Sequence, residues 1–218
     1  MPDWNHINTV LLDMDGTLLD LHFDSHFWQQ YVPERYAFQR GLDIPTAKKL
    51  LAPRFEKHAG TLNWYCLDFW SAELDLDIVA LKQDVAHLIA IKDGALEFLH
   101  RLRQMGKRCV LVTNAHQGSL GLKLEHTRLD EHLDHIISAH ELGLPKEDSS
   151  FWHELQIHEP YTPHETLLVD DNLHALRSAQ TFGIKHLLAA CHPDSKAAPH
   201  STEEFASFLQ FSEITPPA

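Results

Sequence analysis

The sequence predicts an α/β protein, a doubly wound parallel Rossmann-like sheet with a helical bundle inserted after the first strand. Three observations carry this. Short β-favouring apolar runs end in polar residues at Asp13, Thr113 and Asp170, as strands buried on both faces by helices do. Between such runs lie stretches with apolar residues at helical spacing, and strand alternating with helix is the pattern of a parallel sheet. Residues 14–107 separate the first strand from the next convincing one, far more chain than one crossover helix requires.

Thr9-Val10-Leu11-Leu12 is the first strand and spills into Asp13-Met14-Asp15-Gly16-Thr17. Phe27-Trp28-Tyr31 opens a helix, and Pro33 suits the first turn of a following one that stops at Gly41. Pro45 starts another that reaches toward His58, with Pro53 as a kink or break. Thr61 can cap the next, on which Leu62, Tyr65, Phe69 and Leu74 recur, and Ile78, Leu81, Val85 and Leu88 mark the last. Residues 20–90 therefore read as a helical cap domain over the first strand's end, and residues 1–19 with 91–218 as the α/β core domain.

In the core, Asp93 can cap a helix presenting Ala95, Phe98, Leu99, Leu102 and Met105, ended by Gly106. The Val110 strand follows, then a helix with Leu120 and Leu124 and a short strand at Ile136-Ile137. Ser149 can start a helix bearing Phe151, Trp152 and Leu155, ended before Pro160. Strand four ends at Asp170, a helix with Leu173, Leu176 and Ala179 closes at Gly183, and residues 184–190 form strand five. The tail after Cys191, with Pro193, Pro199, Pro216 and Pro217, reads as a helix-bearing or loose appendage.

Composition excludes several classes. At 218 residues and 44% apolar content the chain can build one large or two modest cores. It has no apolar run of about 18 residues, so no membrane span is expected, and Met1-Pro2-Asp3-Trp4-Asn5 lacks the basic and apolar regions of a signal peptide. A cytoplasmic protein is expected. Cys66, Cys109 and Cys191 are odd in number and form no C-x-x-C pair, against a disulfide framework or zinc ribbon. A net charge of −13, from 18 basic and 31 acidic residues, disfavours a nucleic acid polymer as partner. A small phosphate ester can still bind where a metal and local cations invert the field of a cleft. The 18 histidines are scattered; His22 with His26 and His132 with His135 could share a helix face, but no third ligand follows, and they read as solvated surface.

Asp13 and Asp15 have one residue between them, so on an extended chain their carboxylates lean the same way. Two anions that close repel unless a cation is shared or one is protonated. Gly16 lets the backbone turn sharply and Thr17 can hydrogen-bond within the turn. Taken alone, the run also fits a calcium-type loop or a plain turn. Asp13 suits a nucleophile that attacks phosphorus and leaves as an acyl phosphate, its charge tempered by magnesium, which prefers oxygen ligands. Asp15 suits the acid that protonates a departing alkoxide and then the base that deprotonates water, so it must begin protonated.

Thr113 and Asn114 offer donors to a phosphate oxygen, although after a strand they also fit a helix cap or Asx turn. Lys146, within Leu144-Pro145-Lys146-Glu147-Asp148, can balance a phosphate dianion; the two acids behind it equally fit an exposed lysine. Adjacent acids at a strand end, Asp170-Asp171, are costly without a cation.

From end to end these motifs resemble the haloacid dehalogenase-like superfamily. Members with this D-x-D form are phosphatases or phosphotransferases working through an aspartyl-phosphate. Halogen-removing members lack the second aspartate, so Asp15 argues against dehalogenation. The resemblance implies that the Asp15 backbone carbonyl is also a metal ligand. It further implies that Asp171, ahead of Asn172, binds magnesium directly, and Asp170 directly or through water. Leu62-Asn63-Trp64-Tyr65-Cys66-Leu67-Asp68-Phe69-Trp70, Lys123-Leu124-Glu125-His126-Thr127 and Pro145-Lys146-Glu147-Asp148 are similar to stretches of the GMP/IMP-type purine 5′-nucleotidases of this superfamily, a likeness running over about residues 9–183. That implies a purine nucleoside monophosphate as substrate, whereas patterning alone reaches only a phosphate monoester. Phe27, Trp28, Trp64, Tyr65, Phe69 and Trp70 offer stacking surfaces. Any one of these rings can equally be core, so one or two at most are expected to face the cleft, with Lys57, His58 and Asn63 beside them. The competing readings are the same chemistry on phosphoglycolate or a sugar phosphate, a sugar-phosphate mutase, and a non-catalytic phosphate-binding protein, against which the presence of both Asp13 and Asp15 speaks.

Overall fold

Val10, Leu11 and Leu12 of β1 (Thr9–Leu12) are each 0% exposed, and each such side chain contributes about 1.5–3 kcal/mol by leaving water. That demand puts β1 in the interior of the sheet. The computed structural model describes residues 2–217.

From β1 to residue 88 all regular structure is helical. Helix α1 (His22–His26) runs through a π-helical turn, Phe27–Tyr31, into α2 (Val32–Arg40), which has Pro33 in its first turn and closes on Gly41 in the left-handed region. In α3 (Ile44–His58) the Asp43 carboxylate caps the first turn, accepting Thr46 N–H at 2.7 Å, and Pro53 is accommodated inside without a break. One helix is expected over residues 62–74, but there are two, α4 (Leu62–Tyr65) and α5 (Leu67–Leu74), parted by the extended Cys66. The Cys66 Sγ caps α5, accepting Phe69 N–H at 3.4 Å, while Thr61 caps nothing and donates its hydroxyl to the His58 carbonyl at 2.7 Å. Helix α6 (Ile78–Asp84) and a 3-10 turn, Ala86–Leu88, complete the segment.

The rest alternates: α7 (Ala95–Gln104), β2 (Arg108–Thr113), α8 (Gln117–Thr127), β3 (His135–Ser138), α9 (Ala139–Leu142), α10 (Ser149–His158), β4 (Thr166–Asp170), α11 (Leu173–Phe182), β5 (His186–Ala190) and β6 (Ser207–Phe208). The residue before α7 is Gly94 in the left-handed conformation rather than Asp93. The Asp148 carboxylate caps α10, accepting Ser150 N–H at 2.8 Å. Strand five starts at His186, because Ile184 N–H still closes the end of α11 on the Ala179 carbonyl at 3.1 Å.

All six strands are parallel, in the order β3-β2-β1-β4-β5-β6. Leu12 pairs with Leu111 on one side and Val169 on the other. Strand order therefore reverses direction at β1, and the crevice beyond the carboxyl ends of β1, β2 and β4 is where ligands of such sheets bind. The tail differs from the appendage expected. Cys191 N–H donates to the Phe208 carbonyl at 3.1 Å, β6 joins the sheet, and Phe205, Phe208, Phe211 and Ile214 are buried. Among the described residues no helix is long and apolar enough to cross a membrane.

Candidate active site

Asp13 follows β1 directly and is held in the sheet by its N–H, which donates to the Val169 carbonyl at 2.9 Å. Asp170 is the last residue of β4 and is fully buried. Between them comes Lys146 from the loop before α10, only 2% exposed. Its Nζ donates to Asp13 Oδ1 at 2.5 Å and to Asp170 Oδ2 at 2.7 Å. The exposed lysine that the acidic flank would also allow is thus not what forms.

Glu147 fixes that loop. It accepts from the Tyr65 hydroxyl at 2.6 Å, from Asn172 Nδ2 at 2.8 Å and from Asn114 Nδ2 at 2.9 Å. The Asn114 Oδ1 in turn accepts Lys146 N–H at 2.9 Å. One carboxylate therefore ties the ends of β2 and β4 to α4 and sets the height of Lys146. Asn114, expected as a phosphate donor, spends most of its amide on this brace. Thr113 is buried beside it; its Oγ1 accepts Ala115 N–H at 3.0 Å, which leaves the hydroxyl proton to donate.

Burial pushes the Asp13 carboxyl up to about 6 against the opposing pull of Lys146. Burial also raises Asp170, and it raises Asp171 well above the usual range, with Asp13 and Asp170 adding to the effect. Burial works against the Lys146 charge, but Asp13 and Asp170 outweigh it and hold the ammonium charged. Carboxylate oxygens of Asp13, Asp170 and Asp171 lie within 4.8 Å of one another, and Asp13 Oδ2 is buried with no hydrogen-bond partner. Three acids facing one lysine, with an orphaned oxygen, fit a hard divalent cation such as magnesium. Gly16, at φ +90°, passes so close that a Cβ there would lie 2.5 Å from Asp171 Oδ2 and 2.9 Å from Pro193 Cβ. Thr17 is fully buried and its hydroxyl finds no partner; backbone bonds from Gly16 to Leu19 and from Leu18 and Leu19 to Met14 close the turn instead.

Asp15 stands outside the acidic trio. Its Oδ1 lies 2.7 Å from Lys123 Nζ, which also donates to Asp24 Oδ2 at 2.6 Å. Lys82 Nζ donates to Asp24 Oδ1 at 2.5 Å and sits 4.7 Å from the ring centres of both Phe23 and Phe27. Burial pushes Asp15 up to about 6, with Lys123 opposing. Burial would raise Asp24 too, but Lys123 and Lys82 together hold it well below the carboxylate range. Sequence reading missed this Asp15–Lys123–Asp24–Lys82 chain. The signal was faint but present: Lys82 falls on the apolar stripe Ile78, Leu81, Val85, and Lys123 three residues after the buried Leu120.

These groups open into one cavity of about 460 Å³, lined by strand ends and by helices of the inserted segment. Trp28, Trp64 and Tyr65 line it, three of the six rings and not one or two, joined by Phe55. The break at Cys66 is the reason, since it frees α4 from the α5 axis and leaves Trp64 and Tyr65 at the rim. Phe27 and Trp70 are core. Lys57, His58 and Asn63 do not line the cavity; His58 packs on Phe69 with ring centres 4.6 Å apart. The polar lining comes instead from Ser25, Gln29, Lys82 and Lys123.

The chain is similar to several known proteins. Residues 7–183 match the haloacid dehalogenase-like hydrolase family. The chain is 40% identical over 213 residues to the GMP/IMP nucleotidase YrfG of Escherichia coli (strain K12), covering 98% of this chain and 96% of that protein. The HAD phosphatase of Thermococcus onnurineus shares the fold with a TM-score of 0.79 at 20% identity, over 95% of this chain and 96% of that one. So does YfnB of Bacillus subtilis, described as a HAD-hydrolase and solved bound to magnesium, with a TM-score of 0.64 at 19% identity over the same shares of the two chains. The chain belongs to the haloacid dehalogenase-like hydrolase family.

Proposed function

We propose that this hydrolase is a magnesium-dependent phosphomonoesterase that works through an aspartyl-phosphate on Asp13 and takes purine nucleoside 5′-monophosphates. The observation that carries the chemistry is Lys146 bridging Asp13 and Asp170 at the floor of a cavity walled by aromatic rings. Support for the substrate comes from the GMP/IMP nucleotidase relative, and the magnesium-bound neighbour shares this fold. The cavity volume falls within the roughly 300–1,000 Å³ usual for small-molecule sites.

Asp13 attacks the phosphorus, an Asp13 O–P bond forms and the ester O–P bond breaks. The departing nucleoside oxygen takes the proton that Asp15 carries, favoured by the raised affinity of Asp15 for it. Asp15, now a carboxylate beside Lys123, takes a proton from water, whose oxygen attacks the same phosphorus and releases phosphate and Asp13. Lys146 holds positive charge against the phosphoryl oxygens throughout, and Thr113 donates its hydroxyl proton to one of them. Magnesium, held by Asp13, Asp171, the Asp15 carbonyl and Asp170 directly or through water, would neutralise the phosphate dianion so that an anionic nucleophile can approach. The cap residues 20–90 exclude water while the acyl phosphate forms, and Trp64 and Trp28 offer faces on which a purine stacks.

A phosphate-release panel of GMP, IMP, AMP, pyrimidine nucleotides, phosphoglycolate and sugar phosphates, with magnesium, tests the substrate. Purine esters are expected to lead in kcat/KM; a sugar phosphate or phosphoglycolate leading would replace the substrate assignment while keeping the chemistry. Asp13→Asn is expected to lower kcat by at least ~10³-fold, and turnover unchanged in that variant would remove the covalent step.

A further inference from the structure

Away from the acidic trio, the break at Cys66 and the ends of β2 and β3 bring together three side chains to which the proposed reaction gives no role. Cys66 separates α4 from α5, His116 caps α8 and His140 lies in α9. One ligand atom from each lies within 4.8 Å of the other two, and all three residues are half-buried. The imidazoles of His116 and His140 meet edge to face with centres 5.0 Å apart. His140 Nε2 is buried and has no hydrogen-bond partner, and the ring's polar contact is with the Asn114 backbone. A neutral histidine anchored on one side by backbone and bare on the other is the usual state of a metal-ligating imidazole.

We propose that Cys66, His116 and His140 form a second metal site, for a borderline-soft divalent ion such as zinc, that straps the inserted helical segment to the sheet. A thiolate with two imidazoles selects zinc, cobalt or copper over magnesium, which seeks oxygen. Phe69 N–H already points at Cys66 Sγ from the first turn of α5, which fixes where the sulfur sits. Metal binding displaces the thiol proton to solvent and forms the sulfur–metal bond. The fourth position is open to water or to Asp68, whose Oδ2 lies 3.6 Å from His116 Nε2. The competing contact is a weak one, Gly118 N–H on His116 Nδ1 at 3.3 Å. His116 also lines the main cavity, and Tyr65, next to Cys66, braces Glu147. An ion here therefore ties the α4–α5 break to the ends of β2 and β3 at the edge of that cavity.

Cobalt titration of the full chain in excess magnesium tests this, because a thiolate-to-cobalt charge-transfer band reports sulfur ligation and is silent for cobalt on carboxylates. One equivalent is expected to raise the band in the wild type and in Cys191→Ser and none in Cys66→Ser, with cobalt bound at least ~10-fold more weakly by His140→Ala. Zinc is expected to protect Cys66 from alkylation in the wild type and not in His140→Ala, with far-UV circular dichroism confirming that each variant is folded. Absence of the band in the wild type, or its persistence in Cys66→Ser, overturns the proposal and leaves the magnesium-site chemistry untouched.

Discussion

Lys123 Nζ lies 2.7 Å from Asp15 Oδ1 and 2.6 Å from Asp24 Oδ2, joining the candidate general acid to a carboxylate from the inserted helices. This pair of contacts makes the proton affinity of Asp15 a property of the packing between α8 and α1.

Lys123→Met removes the cation that opposes the effect of burial on Asp15. The Asp15 pKa should rise further, so the limb of the kcat/KM profile that reports it moves to higher pH and kcat falls by ~10–100-fold. Asp24 keeps Lys82 as a partner at 2.5 Å, so the variant should fold. A pH profile of unchanged shape would separate Lys123 from the chemistry.

Without metal, Asp13 is a buried acid raised from 3.8 to about 6. The folded state then holds its proton more tightly than the unfolded state, so this contribution to stability is present below about pH 4 and is lost as pH rises through about 6. In EDTA, Asp13→Asn should therefore gain in Tm relative to wild type between about pH 5 and 7.5, by ~1–3 kcal/mol of stability. Thermal melts at the two pH values decide it, and added magnesium should stabilise the wild type more at the higher one.

Gly16→Ala should impair metal binding more than folding. Its Cβ would stand 2.5 Å from Asp171 Oδ2 at a backbone φ of +90°, and the side chain of Asp171 can yield where the backbone cannot. A magnesium titration of activity should show a half-saturating concentration raised ~10-fold or more; an unchanged curve would place Asp171 outside the metal's shell.

Trp64 and Trp70 should part company. Trp64 is 36% exposed at the cavity rim, and Trp64→Ala is expected to raise KM for purine nucleotides by ~5–100-fold, the worth of a stacked ring, with little change for a non-purine ester. Trp70 is 1% exposed, and Trp70→Ala should cost about 3–5 kcal/mol of stability. Equal KM effects on purine and non-purine esters from Trp64→Ala would return that ring to packing.

The amino-acid sequence alone determined what short-range pattern can determine. The apolar runs that become β1, β2 and β4, the polar residues Asp13, Thr113 and Asp170 at their ends, and the helical character of the chain between β1 and β2 were all legible, because burial periodicity is local. Which charges meet was not. Lys146 and Asp13 are 133 residues apart and Lys123 and Asp24 are 99 apart, and no spacing rule reaches that far. Lys146 was already legible as the cation for a phosphate; the tertiary structure set its contacts with Asp13 and Asp170, brought Lys123 to Asp15, made Glu147 a brace, drew the tail in as β6, and set Cys66 beside two histidines. Each of those outcomes depends on desolvation and distance between segments that only the completed sheet brings together.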